Sequence, residues 1–314
     1  MKTIYFVVPC YNEQEVLPET VTRLCAQLES LVREGLASDA SRVLFVDDGS
    51  RDRTWAIIAE CCEKEQFVCG LRLSHNCGHQ NALLAGLFTA KELCDAVITL
   101  DADLQDDVSV IPEFVRRFNE GCDIVYGVRN NRESDTVFKR GTARGFYSLM
   151  RRMGVGLVSD HADYRLMSRR AIEALSQFNE VNLFLRGVVP LLGFKTASVF
   201  YERKSRFAGQ SKYPLKKMIS FAVDGITSFS VVPLRIISGL GFAISLVSIV
   251  ALVYAFVSKL TGSAQAGWAT IIGSVWFIGG VELVSLGICG EYIGKIYKEV
   301  KARPRYIIDS AILK

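Results

Sequence analysis

No C-x-x-C pair occurs in this 314-residue chain, although it contains nine cysteines. An odd number of unclustered cysteines offers neither a complete disulfide framework nor zinc-ligand spacing. The thiols are therefore expected to be reduced and mostly packed. No G-x-G-x-x-G follows the first strand-like run, so the dinucleotide fingerprint is missing. Gly239-Leu240-Gly241 lies in an apolar segment and does not replace it. Internal repeats and low-complexity stretches are lacking as well. Met1-Lys2-Thr3 leads directly into a strand-like run, so no signal peptide is expected.

What the chain does have is apolar residues, half of the total, with a mean hydropathy of +0.23. Most of the excess lies in residues 236–257 and 268–289. The first run is 22 residues without a charge. As a helix it would extend roughly 33 Å, enough for a hydrocarbon core of about 30 Å. The second carries a single ionisable residue, Glu282, a costly group in a span unless it faces protein or water. Two such spans form a hairpin with both chain ends on one side. Lys216, Lys217 and Arg235 precede it, Lys295, Lys298, Lys301, Arg303 and Arg305 follow it, and the connection holds only Lys259. The positive-inside rule then places both termini in the cytoplasm, with the chain a multi-pass protein of the cytoplasmic (inner) membrane. The expected organisation is a cytoplasmic domain over residues 1–212, an interfacial amphipathic helix over 213–230, the transmembrane hairpin over 231–294 and a basic tail over 295–314.

Within the first domain, helix and strand patterns alternate. Leu17, Val21, Leu24, Leu28 and Leu31 recur at spacings of 4, 3, 4 and 3, marking one face of a helix. Short apolar runs at 4–8, 43–46, 68–73, 96–100 and 123–128 read as strands. Helical patterns at 54–65, 80–91 and 110–119 separate them. This order predicts an α/β fold with a mostly parallel sheet and helices on both faces. Ligands bind beyond the carboxyl ends of such strands, where this chain places five polar loops. The fourth carries Asp101-Ala102-Asp103-Leu104-Gln105-Asp106-Asp107. Two carboxylates one residue apart after a buried strand suit a divalent cation on oxygen ligands, which commonly brings a phosphate. A plain polar turn is the alternative, since Asp favours turns. His79, near a helix start, reads as a cap or a packed imidazole. Residues 129–152 contain seven Lys or Arg, and residues 203–217 contain six and no acid; such a run also suits a lipid headgroup surface.

Taken in order, Val7-Val8-Pro9-Cys10-Tyr11-Asn12-Glu13, Val46-Asp47-Asp48-Gly49-Ser50 and Asp101-Ala102-Asp103-Leu104-Gln105-Asp106 resemble glycosyltransferase family 2, whose catalytic domain has the Rossmann-like GT-A fold. Asp163-Tyr164-Arg165-Leu166, Arg206-x-x-Gly209-x-Ser211-Lys212-Tyr213 and Gly290-Glu291-Tyr292-Ile293-Gly294-Lys295 are similar to its polyprenyl-phosphate group, which includes dolichol-phosphate mannose synthases and bactoprenol glucosyltransferases.

That resemblance implies inverting transfer of one sugar from a nucleotide donor, UDP-glucose in the first instance, to a polyprenyl (undecaprenyl) phosphate, for use in modifying a cell-envelope glycan. It implies that Pro9, Tyr11, Glu13, Asp48, Asp101, Arg206 and Lys212 bind the nucleotide-sugar. Asp101, Asp103 and Gln105 would hold Mg²⁺ or Mn²⁺. Arg129, Arg140 and Ser211 would meet the lipid phosphate. Asp163, with Arg165 beside it, falls where the family's catalytic base is placed. The attacking group is a phosphate monoester with a second pKa near 6, so it needs alignment more than deprotonation. Asp163 is therefore read as a base or an orienting residue, or as half of a structural ion pair. His75 and Cys77 depart from the Arg and Phe expected in their loop. The implied partners are the donor, the lipid acceptor, the bilayer and a further copy of the chain, with no nucleic acid. Alternatives are the same reaction with mannose, N-acetylglucosamine or an aminoarabinose derivative, and a non-catalytic membrane adaptor. A processive synthase is disfavoured because no Gln-x-x-Arg-Trp occurs: none of Trp55, Trp268 and Trp276 follows an Arg.

Overall fold

The computed structural model describes residues 1–129, 161–180, 185–202, 230–260 and 267–314. Strands β1 (Ile4–Cys10), β2 (Arg42–Asp47), β3 (Val68–Leu73) and β4 (Ala96–Thr99) alternate with helices α1 (Leu17–Arg33), α2 (Thr54–Lys64) and α3 (His79–Ala90). A short 3-10 turn, Val108–Val110, leads into α4 (Ile111–Asn119) and β5 (Ile124–Arg129). Then come β6 (His161–Ser168), α5 (Arg169–Ser176), α6 (Leu185–Leu191) and β7 (Thr196–Tyr201). The two long helices are α7 (Val232–Leu260) and α8 (Trp268–Val300), and β8 (Ile308–Ile312) closes the chain. Nine elements up to β5 agree with the sequence pattern to within a residue or two at each end. After β5, the elements β6, α5, α6 and β7 were not anticipated, although Ala171, Ile172 and Leu175 mark one buried face of α5.

All eight strands form one sheet in the order β7-β5-β6-β4-β1-β2-β3-β8. β3, β2, β1 and β4 run parallel, β5 pairs parallel with β7, and β6 lies antiparallel between β4 and β5. The chain steps from β1 to β2 and β3 on one side, then returns to place β4 on the other. That reversal is a topological switch point, and it opens a crevice past the carboxyl ends of β1 and β4.

β1 reads as a continuous apolar run because both its faces are covered. Ile4, Phe6 and Val8 belong to a core with Leu17, Leu24, Leu28 and Leu31 of α1, Ile58 of α2 and Phe114 of α4. Val7 faces the opposite layer, where α3 sits so close that a Cβ on Gly86 would lie 2.4 Å from Val7 Cγ1 and 2.8 Å from Val46 Cγ2. Only glycine permits that approach.

The described chain forms two compact units. One is the sheet domain, to which Arg303–Lys314 belongs: β8 pairs antiparallel with β3. The residues read from sequence as a basic tail thus end in an edge strand. The other unit contains α7 and α8. Along both helices large apolar side chains face outward, among them Phe242, Leu246, Val253, Phe277, Leu283 and Ile293. Among the described residues one segment, Phe277–Val300, is long and apolar enough to cross a membrane by length and composition. Residues 213–229, expected to form the interfacial helix, lie outside the described residues, as do Arg140, Arg206, Ser211 and Lys212. All nine cysteines are free.

Candidate active site

The site begins with two loops stitched together. After β1, Asn12 takes a left-handed conformation (φ 54°). Its amide donates to Ser50 Oγ at 3.0 Å, and its side chain accepts from the Arg51 amide at 2.9 Å. The Glu13 amide donates to Thr54 Oγ1 at 2.9 Å, and Gln14's to Asp52 at 3.3 Å. Tyr11 stands exposed at the tip of this arrangement, while Pro9 is buried inside β1 opposite Val46. Gly49 explains the Asp-Asp-Gly-Ser motif: its φ is +63°, and a Cβ there would lie 2.5 Å from the His75 carbonyl carbon.

Asp48 is buried and spends both carboxylate oxygens on the loop after β3. It accepts from the Cys77 amide at 2.7 Å and the Gly78 amide at 3.0 Å. Burial pushes its carboxyl up, and the two amides work against that rise. Asp48 therefore anchors the segment that leads into α3.

α3 starts with His79, and here the structure corrects the sequence reading. The imidazole is neither a cap nor packed. Its Nε2 lies 3.6 Å from Asp101 Oδ1 and 3.8 Å from Asp163 Oδ2, between two carboxylates delivered by different strands. Asp101 follows β4, and its side chain is 37% exposed to the crevice. Burial in the surrounding protein, together with Asp106, Asp163 and Asp103, outweighs His79 and pushes the Asp101 carboxyl up to about 6. Asp103 is buried and accepts from the Gln105 amide at 3.2 Å. Between them Leu104 is held at φ 55° with its side chain buried. A leucine in that region is strained, and here burial holds it there.

Among the described residues no group of three or more His, Cys, Asp or Glu side chains could hold a metal by itself. The donors nevertheless fit a hard divalent ion. Mg²⁺ in phosphate sites takes one or two carboxylates and fills its remaining positions with water and substrate oxygens. Asp101 and Asp103 would supply those carboxylates, with Asp106 and Asp163 adding negative charge beside them.

Asp163 enters from β6, paired with β4. Arg165 Nη2 donates to its Oδ1 at 2.6 Å, and Arg186 Nη2 donates to its Oδ2 at 3.0 Å. Burial disfavours its charge, yet the Arg186 and Arg165 guanidiniums prevail and hold the carboxyl well below the usual range. Arg165 is 1% exposed, and its Nε and Nη1 have no hydrogen-bond partner among the described residues. Sequence reasoning missed Arg186; the signal was a lone charge in the apolar α6 run, Leu-Arg-Gly-Val-Val-Pro-Leu.

Arg129, at the end of β5, belongs to a second network. Its Nε donates to Tyr201 Oη at 3.3 Å, and Tyr201 in turn donates to Asp106 Oδ1 at 2.5 Å. Asp106, which had no role in the sequence reading, thus joins the Asp-x-Asp turn to Arg129. Asp107 caps the 3-10 turn by accepting from the Ser109 amide at 3.2 Å, the expected turn into the next helix.

The comparisons with known proteins extend over the whole chain. Residues 5–176 match the family model described as "Glycosyl transferase family 2", and residues 232–296 match "GtrB C-terminal hairpin". The "Uncharacterized glycosyltransferase YkoT" of Bacillus subtilis (strain 168) is 56% identical over 96% of this chain and 90% of its own. The "SfII prophage-derived bactoprenol glucosyl transferase" of Shigella flexneri is 37% identical over 98% of both. The "Prophage bactoprenol glucosyl transferase homolog" of Escherichia coli (strain K12) is 36% identical over 97% of this chain and 98% of its own.

Proposed function

Since the chain belongs to glycosyltransferase family 2, we propose that it moves a single sugar, glucose from UDP-glucose, onto a polyprenyl phosphate at the cytoplasmic face of a membrane. The observation that carries this reading is the meeting of Asp101 and Asp163 around His79 in the crevice beside β1 and β4. One carboxylate belongs to the motif suited to a donor diphosphate. The other is in a position to orient an acceptor. Relatives matched over nearly their full length carry the name bactoprenol glucosyl transferase, which supports a lipid acceptor.

In the proposed reaction an oxygen of the lipid phosphate forms a bond to the anomeric carbon while the bond to the nucleoside diphosphate breaks. The configuration inverts and the electron pair leaves with the diphosphate. Tyr11 and Glu13 line the nucleoside side, over a loop that Asp48 holds in place. A divalent ion on Asp101 and Asp103, with Gln105 beside them, would offset charge gathering on the leaving group. Arg129, and Arg140 and Ser211 outside the described residues, receive the acceptor phosphate; Arg206 and Lys212 close on the donor. Asp163 is charged throughout the neutral range and weakly basic, which suits orientation through Arg186 and Arg165 better than proton abstraction.

The outward-facing apolar side chains of α7 and α8 support burial in lipid, with oligomer contacts on the same surface. The chain leaves the sheet domain, runs through the two helices and returns to the same sheet as β8. That connectivity supports a hairpin with both ends on one side and both termini cytoplasmic. The test is purified protein with polyprenyl phosphate, Mg²⁺ or Mn²⁺, and a panel of UDP-glucose, UDP-N-acetylglucosamine, GDP-mannose and an aminoarabinose donor. UDP-glucose should be consumed, and Asp103→Asn should abolish turnover. Consumption of none would leave the adaptor reading, and full activity of Asp103→Asn would remove the metal assignment.

A further inference from the structure

We propose that residues Arg305 to Ile307, which follow the last helix, are a brace that positions the donor-binding loop. Two contacts carry this. Ile307 offers its carbonyl to the Ser74 amide at 2.9 Å, at the first residue after β3. Arg305 Nη2 donates to the Phe178 carbonyl, just past the end of α5 on the way to Arg186. Gln80 Oε1 accepts from the Leu185 amide at 3.2 Å and joins the first turns of α3 and α6 directly.

The consequence is specific. The loop from Ser74 to Gly78 supplies the amides that occupy Asp48, and it ends at His79 between Asp101 and Asp163. The α5–α6 connection ends at Arg186, on Asp163. One strap therefore touches both segments that feed the crevice. The β3–β8 pairing also shifts register between Arg72 and Leu73, where the strap leaves the ladder and turns to the loop. An edge strand alone needs neither contact. Four residues separate Val300, the end of α8, from Arg305, so the brace is covalently next to the apolar hairpin. Arg305 and Ile307 act through the loop and touch no substrate; they are positioning residues. The inference rests on the donor reading given above.

The experiment uses the full-length protein in detergent, comparing wild type, Arg305→Ala, Arg305→Lys and Asp309→Asn. The last weakens the outer Arg72–Asp309 pair on β8, 3.7 Å long, and the adjacent Ser310–Asp309 bond, and touches neither Arg305 nor Ile307. Amide hydrogen exchange is read without substrate, and Michaelis constants are read for UDP-glucose and for polyprenyl phosphate separately. Arg305→Ala should speed exchange in residues 74–80 while β1 and β2 stay protected. It should raise the UDP-glucose constant about 3–10-fold, the net size expected for one typical hydrogen bond, with the lipid constant within about twofold. Arg305→Lys should recover most of both effects, and Asp309→Asn should show neither. Unchanged exchange in residues 74–80 overturns the brace. So does exchange that rises equally across β1 to β4, because that is general destabilisation. Faster loop exchange with an unchanged donor constant overturns the link to donor binding. If no nucleotide-sugar is turned over, the functional reading fails instead, and the exchange data alone decide whether the strap holds the loop.

Discussion

Asp163→Asn removes one negative charge from between two guanidiniums while leaving the side chain's shape almost unchanged. Arg165 loses its counterion in a setting where it is 1% exposed and has two donor atoms without a partner among the described residues. Breaking a buried pair by deleting one partner costs about 3–5 kcal/mol, because the remaining charge is left uncompensated. Arg186 is 38% exposed, so solvent screens its share of the loss. The asparagine oxygen also keeps one acceptor. The lower end, about 3 kcal/mol, is therefore expected, or roughly 6–12 °C in melting temperature for a domain of this size. The assay is thermal unfolding of the full chain in detergent, followed by near-ultraviolet circular dichroism. Adding Arg165→Met to Asp163→Asn removes the stranded cation and should restore at least about 2 kcal/mol relative to the sum of the single effects. Additivity within about 0.5 kcal/mol would refute the argument, since it would mean the two charges are not coupled. The pH dependence has a definite sign. Asp163 has a folded pKa below its unfolded one, so its contribution is complete above the ordinary carboxylate pKa of about 3.9. It fades as pH falls below that value toward the folded pKa. The gap between wild type and Asp163→Asn should be constant above about pH 5 and narrow in acid.

Tyr201→Phe removes the hydroxyl that donates to Asp106 and accepts from Arg129. It should raise the Michaelis constant for polyprenyl phosphate about 5–10-fold, the loss of one or two hydrogen bonds, and leave that for the nucleotide-sugar unchanged. Steady-state kinetics with each substrate varied in turn separates the two, and an equal shift in both would show a merely structural hydroxyl. Gly49→Ala puts a Cβ 2.5 Å from the His75 backbone at a φ of +63°. It should cost at least about 1–2 kcal/mol and weaken UDP binding by calorimetry. Wild-type stability and affinity in this variant would mean the loop after β3 does not sit against Gly49.

Recognition of the family needed no coordinates, because its motifs are contiguous. The Asp-Asp-Gly-Ser and Asp-Ala-Asp turns sit at strand ends that apolar runs mark on their own, and their order along the chain predicts a crevice at one sheet edge. The long apolar runs were equally legible as helices: residues 236–257 fall within α7 and residues 268–289 within α8. His79 was misjudged for a physical reason. Its neighbours in sequence are a helix start, and its neighbours in space, Asp101 and Asp163, come from two other strands.

Sequence by itself determined the alternating α/β plan of the first 129 residues, the glycosyltransferase family and the residue types available at each loop, because these depend on local periodicity and short contiguous motifs. The tertiary structure alone decided which of those residues share a charge. Arg186 reaches Asp163 from a seven-residue helix, Tyr201 joins Asp106 to Arg129 across 95 and 72 positions, and the end of the basic tail forms β8 beside β3. Electrostatic interaction falls with distance in space and has no memory of distance along the chain. Pairings between remote segments therefore leave no pattern in a single sequence until the sheet order brings them together.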